Sequence, residues 1–421
     1  MLTFARVEPI PYDPPWTADL EGRISALCAG ERRIAYFYNQ PDTGTFRYRV
    51  LNMIEALAAA PSLGISAAWF TRADLRHAER FISRTDVLVI CRTHYDAAIN
   101  RLIGMAKARG IRVYFDVDDL TFDPDYVHLM LETLDQPSQA ERTWTAWFGA
   151  VARLGATLRL CDGAIVPNQF LAERVSAYAP SVIPRIIPNY LNRAQQEISE
   201  SIWHSKRQSG FARDGRIHLG YFSGTPTHNR DFEIISSVLS KLLDKDRRIA
   251  LRIAGFMQLK SPLVRHRDRI ETYPFQDFLN LQQITGAVEI NLAPLQINTF
   301  TNCKSELKYF ESAIVGTPTI ASPTFAFRTA IRDGQNGFLA HAHEWEDKIR
   351  TALDCVSAGA QYADLAECAY LHAREAYNWN RYATNIDSAV FGGREERSDE
   401  QILDRAANTE QTKFMLKASS K

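Results

Sequence analysis

Residues 288–322, VEINLAPLQINTFTNCKSELKYFESAIVGTPTIAS, read in succession as strand, loop, helix and strand. VEINLAPL and TPTIAS are short apolar runs punctuated by Pro and Gly, the pattern of strands buried on both faces. Between them Leu307, Phe310 and Ile314 recur at helical spacing, which predicts a helix from about Ser305 to Val315 with one apolar stripe. Two buried strands joined through a helix are the repeating unit of a parallel sheet.

The same alternation continues outward. GFLAH adds a strand after this unit, and IHLGYFS, a helix from about Asp231 to Leu243, IALRIAG and a short helix from about Phe275 to Ile284 precede it. A second, independent series lies upstream. A helix around Ala18 to Ala29 leads into the strand RIAYFYN, the loop QPDTGTF and a helix beginning near Phe46, with Val50, Met53, Ile54 and Leu57 on one face. SAAWF, DVLVICR, IRVYFDVDD and GAIVPN follow as strands, separated by helices to about Arg84, from about Tyr95 to Arg109 and through Thr145 to Leu160, and QFLAERVSAYA closes the series as a helix.

The segment PSVIPRIIPNYLN, with three prolines, suits a crossing between domains better than the interior of an element. The expected division is an N-terminal extension (1–32), a first α/β domain (33–185), a second (186–366), a C-terminal helix returning to the first domain (367–391) and a charged tail (392–421). The fold class is α/β, with two parallel sheets covered by helices and facing a cleft.

Length and composition agree with this division. A chain of 421 residues exceeds one ordinary core, and 46% hydrophobic with 23% charged residues is an ordinary globular balance. Lys plus Arg equals Asp plus Glu, 49 each, so no global field draws the protein to nucleic acid, and no nucleic-acid partner is expected. The cysteines, Cys28, Cys91, Cys161, Cys303, Cys355 and Cys368, form no C-x-x-C pair and are expected to be reduced thiols. The start MLTFARVEPIPYDPPW lacks the basic-then-apolar order of a signal peptide, and no apolar run approaches the roughly 20 residues of a membrane span. A cytoplasmic protein with at most peripheral contact at the inner membrane face is expected.

Four constellations are suited to chemistry. In TNCKSELKYFESAIVGTP (301–318), Lys304, Lys308 and Glu311 are spaced to share a helix face, with Ser305 at the helix start. A helix N-terminus beside a lysine suits a diphosphate, and Glu311 suits a ribose diol. The loop GYFSGTPTHNRDF (220–232) offers Ser223, Gly224, Thr225, His228 and Arg230 around a tight turn after a strand, weaker than any established phosphate-loop signature. YFDVDDLTFDPD places Asp116, Asp118, Asp119 and Asp123 beyond a strand's C-terminal end, where open α/β sheets hold ligands. These carboxylates are suited to a metal, to general-base work or to sugar hydroxyls; alternatively Asp119 merely caps a helix or turn, a role expected for at least one of the four. PDTGTFRYR contributes Gly44, Thr45, Arg47 and Arg49, and Arg92 and His94 follow the third strand.

Taken together, GTFRYR, VLVICR, GIRVYFDVDDLTFD, DGAIVPNQFLAERV, GYFSGTPTHNRDF, the 290–322 stretch, IRDGQNGFL and Trp345 resemble, in order and spacing, the GT-B glycosyltransferases. They are most similar to the family-4-like bacterial enzymes that build rhamnose-rich and other surface polysaccharides, over residues 33–390. The resemblance implies two Rossmann-like domains, a nucleotide-sugar donor on the second, a saccharide or lipid-linked saccharide acceptor on the first, and no required metal. It implies that Glu311 holds the nucleotide ribose and that Lys304 and Arg230 neutralise the leaving diphosphate. Ser223, Gly224, Thr225, His228, Ser305 and Lys308 would also serve the donor, with Tyr273 and Phe275 near the base. Gly44, Thr45, Arg47, Arg49, Arg92, His94 and Asp119 would serve the acceptor. Cys303 stands where the family's E-x7-E pattern has its first glutamate, and Asp118 where many relatives have a histidine. Family members retain anomeric configuration, whereas Asp118 acting as base would invert it. Two rival readings are a metal-dependent GT-A-type transferase using Asp116-x-Asp118 and an inactive nucleotide-sugar or glycan-binding protein.

Overall fold

The computed structural model describes residues 9–42, 44–224, 229–257 and 259–392. Twelve strands among them form two parallel six-stranded sheets. The first contains β1 (Arg32–Tyr38), β2 (Ile65–Thr71), β3 (Val87–Cys91), β4 (Arg112–Asp116), β5 (Gly163–Val166) and β6 (Ile183–Ile186), in the order β2-β1-β3-β4-β5-β6. The second contains β7 (Ile217–Ser223), β8 (Ile249–Gly255), β9 (Ile270–Tyr273), β10 (Ile290–Ala293), β11 (Thr319–Ala321) and β12 (Gly337–Leu339), in the order β12-β11-β10-β7-β8-β9. Every residue of VLVIC in β3 and of IHLGYFS in β7 is buried, as strands covered by helices on both faces require.

Each sheet has one point where strand order reverses, between β1 and β3 in the first and between β7 and β10 in the second. Loops leaving the C-terminal ends of such neighbours diverge to opposite faces and leave a crevice. GTFRYR and Arg92 follow the two strands that flank the first crevice, the 118–119 carboxylates follow the neighbouring β4, and Ser223-Gly224 and the 294–306 segment stand at the ends of the strands that flank the second.

Several elements depart from the sequence reading. The proline-rich crossing contains β6, an outer strand with a largely exposed pattern, where Pro184 is tolerated because an edge strand has unpaired N–H positions. The helix Arg193–Gln208 that follows was not anticipated, and its Trp203 stacks on Tyr370 at 4.6 Å. The helix expected near Phe46 opens with a π-helical turn, Arg47–Leu51, before Asn52–Ala58. The helix expected from Ser305 is two helices, because Asn298 and Thr301 cap each other reciprocally and start an early turn, Thr299–Asn302, ahead of Leu307–Ala313. Lys304 and Ser305 therefore sit in the connecting turn, off the helix that carries Lys308 and Glu311.

That early turn crosses to the other half. Phe300 and Cys303 are buried in the core of the first sheet's layers, and Asn168 donates to the carbonyls of Cys303 and Lys304 at 3.2 and 3.3 Å. At the C-terminal end, Ala360–Ala376 packs on the second half, and Ala383–Phe391 lies on the first, where Arg32 pairs with Asp387 at 2.6 Å. Residues of the expected tail beyond 392 lie outside the described residues. No helix among the described residues is long and apolar enough to cross a membrane.

Candidate functional site

The two crevices face one cavity of about 690 Å³. Its second-half wall begins with a close approach of backbones. Gly255, at the end of β8, has φ +105°, and a Cβ there would fall 1.8 Å from the Ser223 carbonyl oxygen, so only glycine fits. Ser223 and Gly224 line the cavity beside it, and a Cβ on Gly224 would meet nothing within 4 Å. The Cα of Gly224 therefore faces open space.

Lys304 enters from the connecting turn, its ammonium 3.3 Å from an Asp119 oxygen and 4.6 Å from the centre of the Phe300 ring. Lys308 donates to the Phe222 carbonyl and lies over Tyr221, and burial pulls its pKa down to about 8. Glu311, one turn on, faces the same cavity with its side chain 16% exposed. Phe275 lines the outer part and stacks on Phe256 at 5.4 Å; both rings are about half exposed.

The first-half wall is a charged lattice. Arg92 has φ +37°, an uncommon backbone state for a non-glycine residue, with its amide on the Asp116 carbonyl at 2.9 Å. Its guanidinium donates to Asp118 at 2.9 Å and to Thr45 at 3.1 Å, and lies 3.6 Å from Asp119. Thr45 in turn donates to Asp118 at 3.3 Å. Gly44 and Arg47 complete this side, together with Trp147 and Leu134, which the sequence did not single out.

The cavity thus gathers Asp118, Asp119, Lys304, Lys308, Glu311, Ser223, Gly224, Phe275, Gly44, Thr45, Arg47 and Arg92. Other candidates lie elsewhere. Arg49, expected at the acceptor, is fully buried: it forks Asp116 at 2.8 and 3.0 Å and donates to the Ile187 carbonyl and to Asn189. It is a structural tie. Burial pushes Asp116 up to about 6 against the pull of Arg49. Arg230 pairs with Asp135 of the first half at 3.0 Å, outside the cavity lining. Tyr273 donates to Glu271 at 3.3 Å and Ser305 accepts from Asn189 at 2.8 Å, and neither lines the cavity. His94 is also outside the lining, half-buried, and burial with Arg153 and Arg72 nearby lowers its pKa. Asp123 caps a turn, accepting from the Asp125 amide at 3.0 Å, whereas Asp119, the carboxylate named as a candidate cap, lines the cavity and meets Lys304 instead. Thr225 and His228 lie outside the described residues.

Two residues missed in the sequence matter most. Tyr48 donates to Glu311, and Gln195, from the unanticipated helix, does so at 3.2 Å. The only sequence signal for Gln195 was Asn192, which caps that helix through the Gln195 amide at 2.8 Å. Cys303 does not face the cavity. Its side chain is in the first half's core, and burial pushes its thiol pKa up.

Residues 217–355 match the family model for glycosyl transferases group 1. Among solved structures, the chain is similar to HepE from Anabaena in complex with UDP and glucose (12% identity, 86% of this chain and 99% of that one, TM-score 0.56). Sucrose-phosphate synthase from Thermosynechococcus elongatus is similar at 14% identity over 84% of this chain and 97% of its own, with a TM-score of 0.55. WaaG, a glycosyltransferase involved in lipopolysaccharide biosynthesis, is similar at 12% identity over 86% of this chain and 100% of its own, with a TM-score of 0.52. No curated protein matches the chain in sequence. The two sheets and their order correct the single-domain GT-A alternative. The chain has the GT-B fold, and residues 217–355 of its second half match the model for glycosyl transferases group 1.

Proposed function

We propose that the protein transfers a sugar from a nucleoside-diphosphate sugar to a saccharide or lipid-linked saccharide in surface-polysaccharide synthesis, at the inner face of the membrane, with retention and without a required metal. The observation that carries the reading is the pairing of two unlike walls around one cavity. Ser223 and Gly224, the ammoniums of Lys304 and Lys308 and the carboxylate of Glu311 stand on one side, and the Arg92-Asp118-Asp119-Thr45 lattice on the other. The binding of UDP and glucose by HepE and the lipopolysaccharide role of WaaG support the donor class and the setting. A rhamnosyltransferase-like specificity is the subtype proposed from the sequence motifs.

In such a reaction, negative charge grows on the departing diphosphate while positive charge grows on the sugar. Fixed cations and N–H donors placed beforehand lower that barrier more than mobile water does. Lys304 and Lys308 are the cations at hand. Asp118 is already hydrogen-bonded by Arg92 and Thr45, a poor arrangement for a base that must take a proton, which supports retention with the departing phosphate as proton acceptor. Asp116, the other half of a D-x-D pair, has its carboxylate occupied by Arg49 and turned into the protein, which supports metal independence. Docking of the halves excludes water that would hydrolyse the activated sugar.

The test is release of nucleoside diphosphate from uridine-, thymidine- and guanosine-diphosphate sugars, with and without EDTA. Release from one donor, unchanged by chelator, is expected. Release abolished by EDTA would overturn metal independence, and tight nucleotide binding without turnover on any donor or acceptor would favour the binding-protein reading.

A further inference from the structure

Glu311 belongs to the second half, yet two of the three side chains that donate to its carboxylate come from the first: Arg47 and Tyr48 cross from there, and Gln195 joins them from the second. The π-helical turn Arg47–Leu51 widens the backbone just where Arg47 and Tyr48 leave the first sheet, and both side chains reach across the interface. The Arg47 guanidinium donates to a Glu311 oxygen, Oε1, at 3.1 Å and to Gln195 at 2.8 Å. It is wedged between the Tyr48 ring, 3.9 Å away, and the Phe278 ring of the second half, 4.8 Å away. The Tyr48 hydroxyl donates to the same Oε1, and so does Gln195 at 3.2 Å. Gln282 donates to the main-chain carbonyl of Glu311 at 2.9 Å, which fixes its backbone as well.

All three side-chain donors therefore converge on one oxygen. Among the described residues no hydrogen bond reaches Oε2, although Glu311 lines the cavity. A carboxylate removed from water needs its charge answered, and three donors on one oxygen do this while fixing the rotamer. What remains is one strong acceptor with a set direction, the form suited to a neutral hydroxyl.

We infer that Arg47, Tyr48 and Gln195 are positioning residues that aim the free oxygen of Glu311 at a ribose hydroxyl of the bound nucleotide, so that docking of the first half completes the nucleotide site of the second. The inference rests on the nucleotide-sugar reading above. It moves Arg47 from the acceptor, where the sequence placed it, to the donor. It also makes nucleotide selectivity a property of both halves.

The experiment titrates UDP, GDP and ADP, and their 2′,3′-dideoxy counterparts, into the full-length protein by calorimetry, comparing wild type with Tyr48→Phe and Gln195→Met. The wild type is expected to bind one ribonucleotide about tenfold or more tighter than its dideoxy form, the worth of a hydrogen bond to a charged group. Each variant should shrink that ratio toward unity while leaving dideoxy affinity within about twofold of wild type. A variant that weakens both nucleotides equally, or changes neither, overturns the positioning role, as does a wild type that binds a ribonucleotide no better than its dideoxy form. A wild type that binds none of the nucleotides overturns the nucleotide-sugar reading itself. Unfolding midpoints of the variants separate loss of fold from loss of aim, and Gln195→Met supplies the answer if Tyr48→Phe does not fold.

Discussion

The two walls of the cavity are built in opposite ways. On the second-half wall, Lys304, Lys308 and Glu311 come from eight consecutive residues, and their separation is set by one turn and one short helix. On the first-half wall, Thr45, Arg92, Asp118 and Asp119 leave three different strands, β1, β3 and β4, and meet only because those strands lie side by side. The first wall is also braced from behind. Arg49 and Asp116 form a buried pair that ties β4 to the turn after β1 and, through Ile187 and Asn189, to the chain leaving β6. The contrast teaches that a wall assembled from distant strands needs interior charge pairing to keep its geometry, whereas a wall on one contiguous segment keeps its spacing through local backbone structure.

Removing the brace should have the largest effect. Arg49→Met leaves Asp116 buried without its partner and is expected to cost about 3–5 kcal/mol of folding stability, seen as a lower midpoint in thermal or denaturant unfolding. An unchanged midpoint would show that the first wall does not depend on this pair. Next comes the contiguous wall. Lys304→Ala should leave the unfolding free energy within about 0.5 kcal/mol of wild type, as a partly exposed ion pair is worth little, while lowering turnover about 100-fold or more if the ammonium meets the leaving diphosphate. Wild-type turnover in this variant would remove Lys304 from the chemistry.

The smallest effect is a pH dependence. Burial lowers Lys308 to about 8 from its ordinary 10.5, so its positive charge is lost as pH rises through about 8. Donor affinity should then fall above pH 8, by at most about tenfold per unit. Folding stability should move the other way between pH 8 and 10.5, because there the unfolded chain binds the proton that the folded chain has released. A donor KM that stays flat from pH 7 to 9.5 would take Lys308 out of phosphate binding.

Much of the second wall was legible because its residues are neighbours in the chain. The spacing of Lys304, Lys308 and Glu311 already pointed to one surface, and all three line the cavity, although the reciprocal Asn298–Thr301 cap moved Lys304 off the helix. The first wall was legible only as a set of strand-end loops. In RYR, Arg47 and Arg49 look equivalent, yet one crosses to Glu311 and the other is sealed against Asp116, because side chains two residues apart on a helical turn leave it on opposite sides. Cys303 looked like an altered cavity residue, whereas its turn is plugged into the opposite core. Tyr48 sits inside GTFRYR without being singled out and Gln195 lies in no motif, since an uncharged donor becomes functional only through the carboxylate it meets.

The tandem parallel α/β architecture was decided by the sequence alone, because strand burial and helical periodicity are properties of a few consecutive residues. Which charged residues of the first half face the cavity was decided only by tertiary structure. Burying an ion is tolerable only beside its partner, and the partners here stand 67 residues apart for Arg49 and Asp116 and 264 apart for Arg47 and Glu311. Separations of that size are bridged by strand order and by the docking of the two halves, and neither is written in the spacing of residues along the chain.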